Sequence, residues 1–173
     1  KKITLNKNFD ESLIRDAYLY ACHKDIEAIK PGNVNINSPH HDTTASDYLI
    51  SSINSGSELF NDSYSLGDRI LSAIVATKKE TQMNTNLGII LLCAPIAHAL
   101  LNYKEMSLKE AIAKTIDSAT ADDTVKICEA INIANPGGLG NVSDYDTKSM
   151  PVVKLREIMS YSAQYDRISY QYH

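Results

Sequence analysis

The segment Leu87–Leu101 constrains this chain most. It reads Leu-Gly-Ile-Ile-Leu-Leu-Cys-Ala-Pro-Ile-Ala-His-Ala-Leu-Leu, apolar nearly all round and broken only by Gly88, Pro95 and His98. A helix without a polar face must be covered on most sides, and this run is shorter than the roughly 20 apolar residues a membrane span requires. It is therefore expected to be the central helix of a bundle, with His98 as a core histidine whose nitrogens are satisfied inside the protein.

The rest of the chain supplies helices to cover it. Phe9, Leu13, Ile14, Ala17, Tyr18, Ala21 and Cys22 recur at helical spacing, after Asn8 or Asp10 as cap and before the stop at Pro31-Gly32. A second helix is expected over about 44–60, with Tyr48, Leu49, Ser52, Ile53 and Gly56 on one stripe, and a third over about 65–81, with Ile70, Leu71, Ile74 and Val75 inward. Ser107 and Glu110 form a capping box that opens a fifth. A sixth runs from near Asp122 to the stop Asn135-Pro136-Gly137-Gly138, and the last spans about 153–165. No alternating strand is evident, since Asn33–Asn37 sits between Pro and Gly and polar residues and reads as extended loop. The expectation is an all-α, single-domain, multi-helix bundle over 1–173.

Charge and cysteine usage narrow the function classes. Seventeen Lys and Arg against 21 Asp and Glu give a net charge of -4, so no global positive field attracts nucleic acid or anionic lipid. Cys22, Cys93 and Cys128 are odd in number and widely spaced inside apolar stretches, which reads as reduced core thiols of a cytoplasmic protein. The amino end shows no apolar signal region. Neither a nucleic-acid nor a membrane partner is expected, and a homo-oligomer stays open.

Chemistry is expected in the polar segments at about 30–44 and 134–151 and at the start of the central helix. Lys30 with the turn Pro31-Gly32-Asn33 offers a cation and a backbone amide where the chain leaves a helix, and a Glu27/Lys30 surface pair explains the same spacing. His40-His41-Asp42 is weak evidence for a metal, because consecutive side chains diverge. Asn84, Thr85 and Asn86 are good helix caps; equally, the amide groups of a helix start beside Gly88 form a ready anion seat. Asp122 and Asp123 suit either a helix start or a Mg²⁺ carrying a polyphosphate. Gly137, Gly138 and Gly140 leave a backbone surface free of side chains, with neither a Walker A nor a GxGxxG pattern around it.

The order of these motifs resembles the triphosphoribosyl-dephospho-CoA synthase family, and within it the shorter archaeal-type branch. The residues that carry the resemblance are Glu27 with Lys30-Pro31-Gly32-Asn33-Val34, His41-Asp42, Asn84-Thr85-Asn86-Leu87-Gly88, and Asn135-Pro136-Gly137-Gly138-Leu139-Gly140 running on to Arg156 and Asp166-Arg167. The resemblance implies an all-helical transferase that moves the triphosphoribosyl unit of ATP onto the ribose 2′-hydroxyl of dephospho-CoA and expels adenine, making a precursor of a carrier-protein prosthetic group. It implies Glu27 and Asp42 as catalytic groups, Mg²⁺ on Asp42, Asp122 or Asp123, and nucleotide or phosphate contacts from Lys30, Gly32, Asn33, His41, Asn84, Thr85, Asn86, Gly88, Gly137, Gly138 and Gly140. Where bacterial members carry Asn-Thr-His-Lys-Gly, this chain has Asn86-Leu87, without the His or the cation. The family pattern also continues into a further helical section, so 1–173 reads as the N-terminal part of a longer family domain. The alternatives are a branch member acting on another phosphoribosyl or N-glycosidic substrate, and a non-catalytic nucleotide-binding module. Convergence of Glu27, Lys30, Asp42, Asn84 and Gly138 on one pocket is the geometric expectation.

Overall fold

The computed structural model describes residues 10–29, 34–37, 43–136 and 153–173. They form eight α-helices and no strand: α1 (Glu11–Glu27), α2 (Ala45–Leu59), α3 (Leu66–Thr81), α4 (Leu87–Asn102), α5 (Leu108–Ser118), α6 (Ala121–Ala134), α7 (Leu155–Ser162) and α8 (Arg167–Tyr172). The all-α expectation holds. The short α8 is absent from the sequence reading, because six residues rich in tyrosine carry too little periodicity to declare a helix.

Local chemistry explains most boundaries. Side-chain oxygens of Asp10, Ser65, Ser107, Thr120 and Asp166 accept backbone N–H groups at the starts of α1, α3, α5, α6 and α8. Gln82 and Asn135 end α3 and α6 in the left-handed conformation, with φ of 59° and 47°.

Helix α4 is central, with Ile90, Leu91, Ala94, Ala97 and Ala99 buried, although Leu92 and Ile96 reach solvent. Pro95 has no N–H for the carbonyl four residues earlier, which is that of Leu91. The hydroxyl of the buried Tyr172 on α8 donates to that carbonyl instead, so the vacancy left by the proline becomes the docking point of the last helix. Burial raises the Tyr172 phenol far above its ordinary value and keeps it a donor. His98 departs from expectation: its Nδ1 is buried without a partner among the described residues, and burial holds the ring neutral by lowering its pKa.

Two stripes are rotated from the expected ones. On α2 the buried positions are Ser51, Ser52, Ser55, Gly56 and Leu59, while Ile53 is 60% exposed. Small residues win this face because Gly56 lies against Tyr18 and Leu19 of α1, where an added methyl would already be in van der Waals contact. On α3, Arg69, Ala73 and Thr77 share the buried face with Ile70 and Ile74, and Val75 points outward.

Contacts along the helices give their directions. Tyr18 pairs with Ser55 and Phe60, and Glu11 lies within electrostatic range of Arg69, so α1 runs antiparallel to α2. A six-residue turn makes α2 and α3 antiparallel, and α3 and α4 reverse again at 82–86. Helix α6 packs on α3 along a long face, Gly67 touching Asp123 and Asp68 pairing with Lys126, so the two run parallel. One end of the bundle thus collects the C-termini of α1, α3 and α6 and the N-termini of α2 and α4. The N-terminus of α8 joins them through Ile168, which faces Gly88.

Candidate active site

At this end the start of α4 is built unlike those of α1, α3, α5, α6 and α8, each of which is capped by the side chain of its boundary residue. It follows three capping-type residues, yet the boundary residue Asn86 makes no side-chain cap, as Lys154 makes none for α7. Thr85 and Asn86 are buried, and their side chains turn inward. Thr85 Oγ1 meets Ser51 Oγ at 2.5 Å. Asn86 Nδ2 faces the Ser51 carbonyl at 3.2 Å, Ser55 Oγ at 3.1 Å and Thr77 Oγ1 at 3.3 Å. Asn84 stays exposed and reaches only the Leu87 N–H, at 3.4 Å. Among the described residues, no side chain accepts from the Gly88 or Ile89 N–H. Such orphan amides, reinforced by the helix dipole, are the physical basis of an anion seat.

The surroundings fit that chemistry. Lys78 and Lys79 occupy the last turn of α3, and Arg167 opens α8 beside Ile168, with its guanidinium 5.9 Å from the Tyr170 ring centre. These cations stand at the end where Leu87 replaces the family lysine. Gln82 adds a left-handed backbone at a residue with a Cβ, a conformation that concentrates at functional sites.

Glu27 ends α1 at the same end and is exposed. Its carboxylate pairs with Lys24, and with His23 Nε2 at 2.9 Å, both on its own helix. The hydrogen bond from Lys24 is the main reason its pKa lies below the usual carboxylate range, so it is ionised at neutral pH. The described partners are Lys24 and His23, and Lys30 of the expected surface pair lies outside the described residues.

Several expectations are revised by this geometry. Gly88 was expected to admit a ligand; a Cβ there would stand 3.3 Å from Ile168 Cδ1, so its bareness makes room for α8. Asp122 and Asp123, expected to hold Mg²⁺, are engaged in other contacts. Asp123 accepts from the Gly67 N–H with Oδ1 and from the Thr120 N–H and hydroxyl with Oδ2, each at 2.8 Å, and Asp122 pairs with Lys126 at 2.7 Å. They also sit beside Gly67, whereas Asn86 sits beside Thr77. Ten residues of α3, about 15 Å of helix, separate the two levels. No group of three or more metal-ligating side chains is gathered among the described residues. Lys30, Gly32, Asn33, His41, Asp42, Gly137, Gly138 and Gly140 lie outside the described residues. The expected convergence is thus described for Glu27 and Asn84 alone, which share this end.

Asp123 has a consequence for stability. Burial alone would raise its pKa, but donors from Ser65, Thr120 and Gly67 outweigh it and hold the value below the ordinary one. A depressed folded-state pKa stabilises above the unfolded value and is lost as pH falls through the folded one. Unfolding free energy should therefore drop as pH falls below about 4. Asp123→Asn should flatten that part of the profile, as read by urea titrations across pH; an unchanged slope would contradict the assignment.

Serines 51 and 55 and Thr77 escaped the sequence reading, since polar residues on an amphipathic stripe look like its solvent edge. The available signal was the helical spacing of small residues at 51, 52, 55 and 56, in line with Leu59.

A crevice of about 180 Å³ lies on another face, lined by Leu92, Pro95, Ile96, Ile112, Ile116, Gln171 and Tyr172. With no charged group in its wall it is unsuited to a polyphosphate.

The fold defines an all-α protein, and at this end the start of α4 lies among the cations of α3 and α8. Residues 11–173 match the family described as CitG: ATP:dephospho-CoA triphosphoribosyl transferase, and the chain belongs to that family. It is a transferase whose substrates are ATP and dephospho-CoA. Moving the triphosphoribosyl group from ATP to the second substrate releases adenine. No curated protein and no solved structure matches the sequence. No helix among the described residues is long and apolar enough to cross a membrane.

Proposed function

We propose that the ATP triphosphate is received at the start of α4, with Asn84 at the rim, Lys78, Lys79 and Arg167 nearby, and Glu27 facing the ribose. The observation that carries this reading is the sparsely capped helix start: of three residues suited to cap α4, only Asn84 reaches an amide, that of Leu87, and the two inward ones bond to α2 and α3 instead. A triphosphate needs several donors and cations at once. Exposed amides at a helix start, together with lysine and arginine, supply both.

Lys30, Gly32, Asn33 and His41 on the α1–α2 connection, and Gly137, Gly138 and Gly140 after α6, complete this reading as further phosphate contacts. The flanking residues leave α1 and α6 at this end. Mg²⁺ accompanying the triphosphate would neutralise its charge, with Asp42 as the protein carboxylate.

In the transfer, the bond from the ribose anomeric carbon to adenine breaks and a bond to the acceptor hydroxyl oxygen forms. The hydroxyl proton leaves, and adenine departs with a proton. The anomeric carbon acquires oxocarbenium character. Glu27, kept ionised by Lys24, is suited to stabilise that positive charge, and a depressed pKa makes it a poor proton donor. Glu27→Gln keeps the shape and removes the charge. Turnover should fall about 100-fold, within the range typical of one positioned group, with KM for ATP within about 3-fold. Adenine release from ATP, Mg²⁺ and dephospho-CoA is the assay. A raised KM with unchanged kcat would remove Glu27 from the chemistry.

A further inference from the structure

We infer that Thr85 and Asn86 are positioning residues that never touch the nucleotide: through Ser51, Ser55 and Thr77 they hold the first turn of α4 open as a preformed seat. The inference rests on the proposed placement of the triphosphate and gives that site a buried support.

The argument begins with what these residues would do if left to local preference. Asparagine at the first boundary position of a helix normally accepts from an amide two or three residues on, closing the helix start on itself. Asn86 occupies that position in α4, with φ -144° and ψ 17°, and makes no such bond. It is 5% exposed, and its amide nitrogen is directed at three oxygens on two other helices. Its Oδ1 is buried with no partner among the described residues. An unmet buried acceptor is costly, and the contacts of the amide nitrogen with α2 and α3 offset that cost. Asn86 is held there by the packing of α2 and α3.

Thr85 repeats the pattern one residue earlier. It is 7% exposed, and its hydroxyl meets Ser51, which is itself fully buried and donates to the Asp47 carbonyl at 2.6 Å. Ser55 extends the support, donating to the Ser51 carbonyl at 2.7 Å and pairing with the buried Tyr18 hydroxyl at 2.8 Å. The chain of contacts therefore runs from α1 through α2 to the first turn of α4, with Thr77 of α3 on its other side. Every member points into the bundle. Among the described residues no side chain accepts from the seat's own donors, the Gly88 and Ile89 amides, because their natural caps are employed below.

A preformed array of donors binds an anion without a reorganisation cost, so loosening the support should weaken ATP binding more than it slows the transfer. Thr85→Val keeps the side-chain shape and deletes the hydroxyl, whereas Thr85→Ser keeps the hydroxyl. Steady-state adenine release should show KM for ATP raised about 10-fold in Thr85→Val, with kcat and KM for dephospho-CoA within about 3-fold. Thr85→Ser should recover ATP affinity to within about 3-fold of the parent. Ser55→Ala, favoured by helix propensity and so expected to fold, should raise KM for ATP in the same direction. It is the deciding variant if Thr85→Val does not fold.

Inorganic tripolyphosphate separates the two levels of the argument. Its competition with ATP in the unaltered protein tests the seat itself; without competition the placement of the triphosphate is wrong, and the support inferred for it falls too. If the unaltered protein shows competition but folded Thr85→Val and Ser55→Ala show unchanged KM for ATP, the seat stands and the positioning role is overturned. Equal loss of kcat and ATP affinity in Thr85→Val, unrelieved in Thr85→Ser, would likewise overturn it.

Discussion

Gly67→Ala should lower the unfolding free energy by about 3 kcal/mol or prevent folding outright, the upper range of overpacking in a filled interior. An added Cβ would lie 2.6 Å from Asp123 Cα and 2.8 Å from its carbonyl oxygen. Both are backbone atoms, so no rotamer change relieves the clash and α6 must move off α3. That movement also breaks the 2.8 Å bond from the Gly67 N–H to the Asp123 carboxylate, leaving a half-met charge near the core. Urea unfolding followed by circular dichroism measures the loss, and a change under about 1 kcal/mol would mean that α3 and α6 are not in this contact. Because the contact lies about 15 Å of helix away from Asn86, any folded Gly67→Ala should keep its KM for ATP.

The second large effect is expected at Arg69. Its side chain is fully buried, and its guanidinium donates to the Leu59 carbonyl at the end of α2 and to the Tyr64 carbonyl at 3.2 Å. A cation suits the negative end of a helix dipole, and the fork bridges the whole α2–α3 turn. The cost is visible in the group itself: burial pushes its pKa down to about 10, and Nε has no partner. Arg69→Ala deletes a large buried side chain and strands two carbonyls, so a loss of about 4 kcal/mol is expected from cavity and unmet-acceptor terms together. Arg69→Met refills most of the space without the donors. It should fall between the parent and Arg69→Ala in urea midpoint, and equality with Arg69→Ala would assign the whole effect to hydrogen bonding.

Both positions show where sequence reasoning reaches its limit. Gly67 is an unremarkable glycine in the first turn of a helix until the parallel α6 arrives 56 residues later in the chain. Arg69 falls on the inward face of α3, where charge normally argues for solvent. Only the turn carbonyls that it meets make burial tolerable. The α2 stripe was misassigned for a related reason. Serines hydrogen-bonded to the carbonyl four residues back, as Ser51 and Ser55 are, carry no unmet polar group into the interior.

The candidate site was legible in part. Residue type and order pointed to Glu27 and to the Asn84–Gly88 turn, and the structure brings these to one end. Their division of labour was not legible. A capping residue and a tertiary bracket use the same side chains, so Asn84, Thr85 and Asn86 look alike in sequence, though one is exposed and two are buried. Asp122 and Asp123 likewise look like a cation-binding pair, and become a surface ion pair and part of a capping box, respectively, once Lys126, Thr120 and Gly67 are placed around them.

Helix content, the central place of the Leu87–Leu101 run and most helix ends were determined by the sequence alone. Apolar period, capping chemistry and breaker residues act over a few positions and need no partner. Directions and partners were decided by the tertiary structure. The sequence contains no local term for which face α6 lays on α3, for what fills the Leu91 carbonyl opposite Pro95, or for whether Asn86 caps its own helix. Those depend on groups far apart in the chain, whose contacts become worth their desolvation only when the helices close around them.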